Sequence, residues 1–160
     1  MKTTQRLDAA LEKLYNAFHS HSLNPECCSH CAVGNICDNV DSWKHLTDNH
    51  GSLQLNYVGL VHQRLGRRFY GYSPSELLKI EAEFLKGCGY RLPLNSRNAK
   101  PKNPTSQETL FNGLCAAVAY LCSLDGVKNV MDFYPLFDRE AKAPEFNNNP
   151  LPTVLPIKGL

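Results

Sequence analysis

The chain lacks most of the features that announce a function. Its longest uninterrupted apolar run, Leu114 to Cys122, falls far short of the roughly 20 residues that a bilayer span needs, so no membrane partner is expected. No G-x-G-x-x-G fingerprint is present, which excludes the usual dinucleotide-binding turn. Histidine is missing after His62, so Cys115 in Gly113-Leu114-Cys115-Ala116 has no downstream base and cannot serve as a papain-like nucleophile. With Cys122 seven residues on, it is assigned to core packing. Charge of one sign is lacking too: 17 Lys+Arg against 15 Asp+Glu leave a formal net charge of +2, which gives no strong nucleic-acid signal. Met1 to Arg6 leads into an amphipathic pattern without an apolar signal core, and a cytoplasmic location is expected.

What is present describes a folded domain. The 160 residues are 42% hydrophobic and 20% charged, the mixture of a globular chain with one core. Leu7, Leu11, Leu14, Tyr15 and Phe18 form one helical stripe, and continuing its period places His21 on the stripe and His19 beside it. Asn24-Pro25-Glu26 reads as the cap and first turn of a second helix running through Cys27 to about Asp38. Asp41 is expected to cap a short third helix carrying Trp43 and Leu46, closed by His50-Gly51, and Ser52 to cap a fourth that ends near Leu65.

Ser73-Pro74-Ser75-Glu76 has capping-box spacing and opens a helix with Leu77, Ile80, Phe84 and Cys88 on one face and Gly87 at its end. Residues 91–104 read as an exposed connection. Thr105 and Glu108 repeat the box spacing before an almost wholly apolar helix, expected to be the central one, which Gly126 stops. Val130 to Phe137 suggest a last short helix. The sum is an all-α, irregular or orthogonal single domain of six or seven helices over 1–142, followed by an extended or disordered proline-rich tail over 143–160.

Seven cysteines are an odd number for a disulfide framework, and their distribution is uneven. Cys27, Cys28, His30, Cys31 and Cys37 fall within eleven residues. On a helix Cys27 and Cys31 project side by side with His30 on their flank, and Gly34 leaves room beside the thiols. The leading reading is a tetrahedral zinc site built from Cys27, Cys31, His30 and His21, with Cys28, Cys37 and His45 as alternates. An iron–sulfur cluster ranks below it, because these cysteines follow neither common ferredoxin spacing. The rival is thiol or redox chemistry at Cys27, or at the Cys28/Cys31 pair, near a helix start. Simple burial of small apolar thiols is the remaining alternative.

Arg64, Arg67 and Arg68 beside Phe69, Tyr70 and Tyr72 combine charge with stacking surface and form a weak ligand-binding candidate, set against a solvated loop pairing with acids such as Glu76. The preferred function is a small accessory protein with a metal on its cysteine-rich segment and a protein partner. A thiol enzyme or sensor, or a metal-free interaction module, are the alternatives.

Four stretches carry a family resemblance: Cys31-Ala32-Val33-Gly34-Asn35, Trp43-Lys44-His45, Asn56-Tyr57-Val58-Gly59 and Phe84 to Tyr90. Over most of residues 1–140 the chain resembles a family of small cytoplasmic proteins from Bacteroidota, whose members often carry the label of a sodium-translocating NADH:quinone reductase component. The labelled activity would need a membrane anchor, a ferredoxin-type cysteine set and a flavin- and NADH-binding region. The residues provide none of these, and the resemblance implies no catalytic residue here.

Overall fold

A computed structural model describes residues 4–95 and 97–129. Five α-helices and one 3-10 helix make up the described fold: α1 (Gln5–His19), α2 (Ala32–Ile36), the 3-10 helix (Ser42–Leu46), α3 (Tyr57–Arg64), α4 (Pro74–Cys88) and α5 (Gln107–Leu124). Among the described residues there is no strand, only an isolated bridge between Phe69 and Tyr72. The all-α expectation holds among the described residues, which carry six helical elements, one of them the 3-10 helix where a short third helix was expected. The helix expected at 130–137 and the tail at 143–160 lie outside the described residues. No described helix is long and apolar enough to cross a membrane.

The amphipathic helices follow their sequence signals. Thr4 caps α1 by accepting from the Leu7 N–H, and Leu7, Ala10, Leu14, Ala17 and Phe18 are buried on one side. Tyr15, expected on that stripe, is 40% exposed, because the buried arc is narrower than the apolar one. Ser73 and Glu76 close a reciprocal capping box on α4, Pro74 sits in the first turn, and Gly89 ends the helix in the left-handed conformation. The helix therefore continues through Gly87, where the sequence suggested its end.

The cap of α5 is Ser106, whose hydroxyl accepts from the Thr109 N–H, rather than the neighbouring Thr105. Helix α4, not α5, is central: it packs against α2, α3, α5 and the 3-10 helix. Gly87 permits its approach to α5, since a Cβ there would lie 2.7 Å from the Asn112 carbonyl oxygen and 2.9 Å from the Gly113 Cα.

The segment from Asn24 to Thr47 departs most from expectation. The predicted second helix is replaced by tight turns over 24–30 and a single short helix after Cys31. Asn24 takes the Glu26 N–H on its side chain, the Asn24 N–H reaches the His30 carbonyl at 2.8 Å, and the chain closes into a loop. Cys31 then caps α2, its sulfur accepting from the Gly34 N–H at 3.3 Å. Asn35 donates to the His30 and Cys31 carbonyls, and the Trp43 indole N–H donates to the Cys28 carbonyl at 2.8 Å. Side chains thus satisfy the backbone polar groups that a longer helix would have paired internally.

Gly34 is the residue that this loop cannot do without. A Cβ there would collide with the Cys28 carbonyl oxygen and lie 2.5 Å from the Ser29 carbonyl carbon. The room beside the thiols is filled by the chain's own 28–29 backbone.

Helix α3 begins later than predicted, capped by Asn56 rather than Ser52. Gly59 is its only buried residue, while Tyr57, Val58, Leu60 and Val61 are exposed. Gly34→Ala is expected to destabilise the protein by about 1–3 kcal/mol through overpacking, measured as a lower midpoint in urea unfolding with an unchanged slope.

Candidate metal centre

Three side chains from separate parts of the chain converge beneath the 24–31 loop. Cys31 Sγ, a ring nitrogen of His50 and a carboxylate oxygen of Glu81 all lie within 4.8 Å of one another. Among the described residues this is the single group of three or more Cys, His, Asp or Glu side chains placed to share an ion. Cys31 comes from the cap of α2, His50 from the turn after the 3-10 helix, and Glu81 from the middle of α4.

Glu81 has no exposed surface, and its two oxygens are used separately. Oε1 accepts the Val33 N–H of α2 at 3.1 Å, and Oε2 lies 2.8 Å from His50 Nε2. The carboxylate therefore caps α2 from a neighbouring helix while it holds the imidazole. With the Nε2 proton directed at Glu81, Nδ1 is left facing Cys28 Sγ at 3.9 Å. The Trp43 indole meets the same ring edge-on, with centroids 5.6 Å apart.

The thiols are not equivalent. Complete burial, and then the charge of Glu81, push the Cys31 thiol well above its ordinary value, so it carries a proton in this state. Burial also raises Cys28, again with Glu81 contributing. Cys27 moves the other way, to about 7, because Ser29 and His30 hydrogen-bond to its sulfur. Its Sγ lies 3.2 Å from Ser29 Oγ and 3.5 Å from His30 Nδ1. Burial drives Cys37, at the far end of α2, up to about 12.

Of the four first-choice ligands read from the sequence, Cys31 alone joins the cluster. Cys27 and His30 pair with each other and with Ser29 outside it. His21 is exposed in a left-handed turn, because α1 stops at His19 before the helical period can return it to the stripe. Among the alternates, Cys28 touches the cluster through His50 Nδ1, whereas Cys37 and the exposed His45 do not enter it. The four thiols at 27, 28, 31 and 37 share no common centre, because their segment turns where a helix was expected.

Arg68 hydrogen-bonds to the Gly71 carbonyl and pairs with Glu76 at 3.4 Å, and Arg67 meets His62 at 3.1 Å. With Arg64 they are exposed, and the solvated-loop reading fits them.

His50 and Glu81 are the two members that sequence reasoning missed. A signal existed for Glu81: it is four residues after Leu77 and three before Phe84, which puts a carboxylate on the predicted apolar face of α4. His50 had no such local signal.

The chain matches no protein-family model, no curated protein and no solved structure.

Buried sulfur, imidazole and carboxylate donors together suit a borderline divalent ion. Binding would displace the Cys31 proton and move the His50 ring proton from Nε2 to Nδ1, so uptake, with its release of the thiol proton, would be favoured as pH rises. Glu81→Ala is expected to cost about 2–4 kcal/mol, since it strands the Val33 N–H and the His50 Nε2–H and leaves a cavity. Thermal or urea unfolding of the metal-free variant measures the loss.

Proposed function

We propose that this chain is a small accessory metal-binding protein that holds one zinc ion on Cys31, His50 and Glu81. The convergence of those three ligand atoms within 4.8 Å, from three separate elements, is the observation that carries the proposal. Zinc is preferred because it accepts sulfur, imidazole nitrogen and carboxylate oxygen together in a tetrahedral site. Three protein ligands leave the fourth position to water or a bound molecule, as in zinc sites that do more than brace a fold. Cys28, at the second nitrogen of His50, would orient the ring as an outer partner. The family resemblance remains part of the proposal on its sequence stretches alone, and it brings no activity with it.

Untagged protein purified without chelator is expected to contain one zinc per chain by elemental analysis. Cys31→Ser and His50→Ala should abolish this stoichiometry, while Cys27→Ser and His30→Ala should retain it. Zinc-free protein whose melting temperature does not move with added zinc or chelator would refute the proposal.

The second reading, thiol reactivity, is favoured by one observation, the Ser29 and His30 contacts to the half-buried Cys27 sulfur. Cys27 is expected to react with iodoacetamide faster than Cys31, Cys37 or Cys88, its rate rising through a midpoint near the lowered value of about 7. Peptide-resolved labelling between pH 5 and 9 checks this, and uniform slow labelling of all four would remove the reading.

A further inference from the structure

The cluster does not lie against solid protein on every side. A cavity of about 370 Å³ adjoins it, with His50 in its wall together with Glu26, Tyr90, Arg91, Asn98 and Lys100. His50 is the shared element: 13% of its side chain stays exposed, while the same ring pairs with the fully buried Glu81.

The far wall is the connection after α4, and it is internally bonded. The Arg91 N–H reaches the Ala99 carbonyl at 2.9 Å and closes the segment on itself. Asn95 accepts from the Arg97 and Asn98 backbone N–H groups, and the Asn98 amide donates to the Pro93 carbonyl at 2.9 Å. The Leu94 N–H then donates to the His50 carbonyl at 3.0 Å and ties this wall to the turn that supplies the imidazole. The cavity wall is thus held by two backbone bonds and by the Asn95 and Asn98 side chains.

Its charge is unbalanced. Glu26 is the one carboxylate in the lining, and it is already engaged: the Tyr90 hydroxyl donates to it at 2.7 Å, and Lys100 Nζ lies 3.9 Å away. Among the described residues no carboxylate pairs with the Arg91 guanidinium. One cation is therefore uncompensated in a concave, partly enclosed place beside carboxamide groups, which is what an oxyanion needs.

We infer that the cavity over His50 binds a small polar molecule through a carboxylate or phosphate group, held by Arg91 and Lys100 and directed toward His50. Its position beside a metal rests on the centre proposed above, whereas the anion site itself does not. With zinc in place, the ligand would lie on the cavity side of His50, the one proposed zinc ligand in the wall. In the metal-free protein it would meet His50 alone.

Backbone amide shifts can be followed by NMR as inorganic phosphate, and separately acetate, is added at constant ionic strength. The titration is run on both chelator-treated and zinc-treated protein. Saturable shifts at Arg91, Asn98 and Lys100 are expected, with affinity falling about tenfold in the Arg91→Gln/Lys100→Gln double variant. Both positions are exposed, so the variant keeps its fold, and an unchanged melting temperature verifies that.

The tighter of the two anions identifies the ligand's charged group. Linear shifts without saturation for both anions, or equal affinity in the double variant, would overturn the inference whatever the zinc content. Saturable binding by a protein that takes up no zinc would support the anion site and remove only the metal reading.

Discussion

Glu81 carries a carboxylate into the interior of a domain whose other buried α4 side chains are apolar, and three neighbours are arranged around it. An ionised carboxylate removed from water is tolerated only when its lone pairs are taken up. Here the Val33 N–H and His50 Nε2 take one oxygen each, and the Cys31 sulfur, whose thiol donates to the Cys28 carbonyl, lies within 4.8 Å of the same group. These contacts fix the orientation of α2 against α4 and the place of the 47–51 turn. The cluster exists because that carboxylate had to be satisfied, and His50 links it to the cavity beside it.

The loop over 24–31 follows from the same constraint. An uninterrupted helix from Pro25 would have hidden the Val33 N–H within its own ladder and left Glu81 without a backbone donor. Starting the helix only after Cys31 frees the first-turn donors: Glu81 takes one and the Cys31 sulfur takes another. Asn35 and Trp43 then absorb the carbonyls that the turns expose. Gly34 is the steric condition for all of this, since no side chain fits between α2 and the 28–29 backbone.

Helices with an apolar stripe and a strong cap were legible from sequence, because both signals are local. Helix α1 and the capping box of α4 are of this kind. Segments whose backbone groups are satisfied by distant side chains were not legible, because Asn24, Cys31 and Asn35 are equally compatible with a helix until Trp43 and Glu81 are in place. For the candidate centre, the concentration of thiols pointed to the segment that contributes Cys31 to the group. Spacing rules then looked for partners nearby, at His30 and His21, whereas the fold supplies them from residues 19 and 50 positions further along. Glu81 was visible as an acid within an apolar period, and a buried acid calls for a partner more strongly than an exposed histidine does.

The hydrogen atoms that hold the cluster together also mark where a cation would sit. Ligands bound tetrahedrally at about 2.0–2.3 Å stand about 3.3–3.7 Å from one another. The His50–Glu81 contact of 2.8 Å is shorter than that, as expected for two groups sharing a proton, while the whole set spans no more than 4.8 Å. Taking up a divalent ion would thus widen the His50–Glu81 contact by about half an ångström and draw in a contact at the 4.8 Å limit by about one ångström. The exchange also suits the charges. A buried carboxylate facing a neutral thiol and an imidazole has its hydrogen bonds satisfied but little countercharge, and an ion bound to all three would supply it.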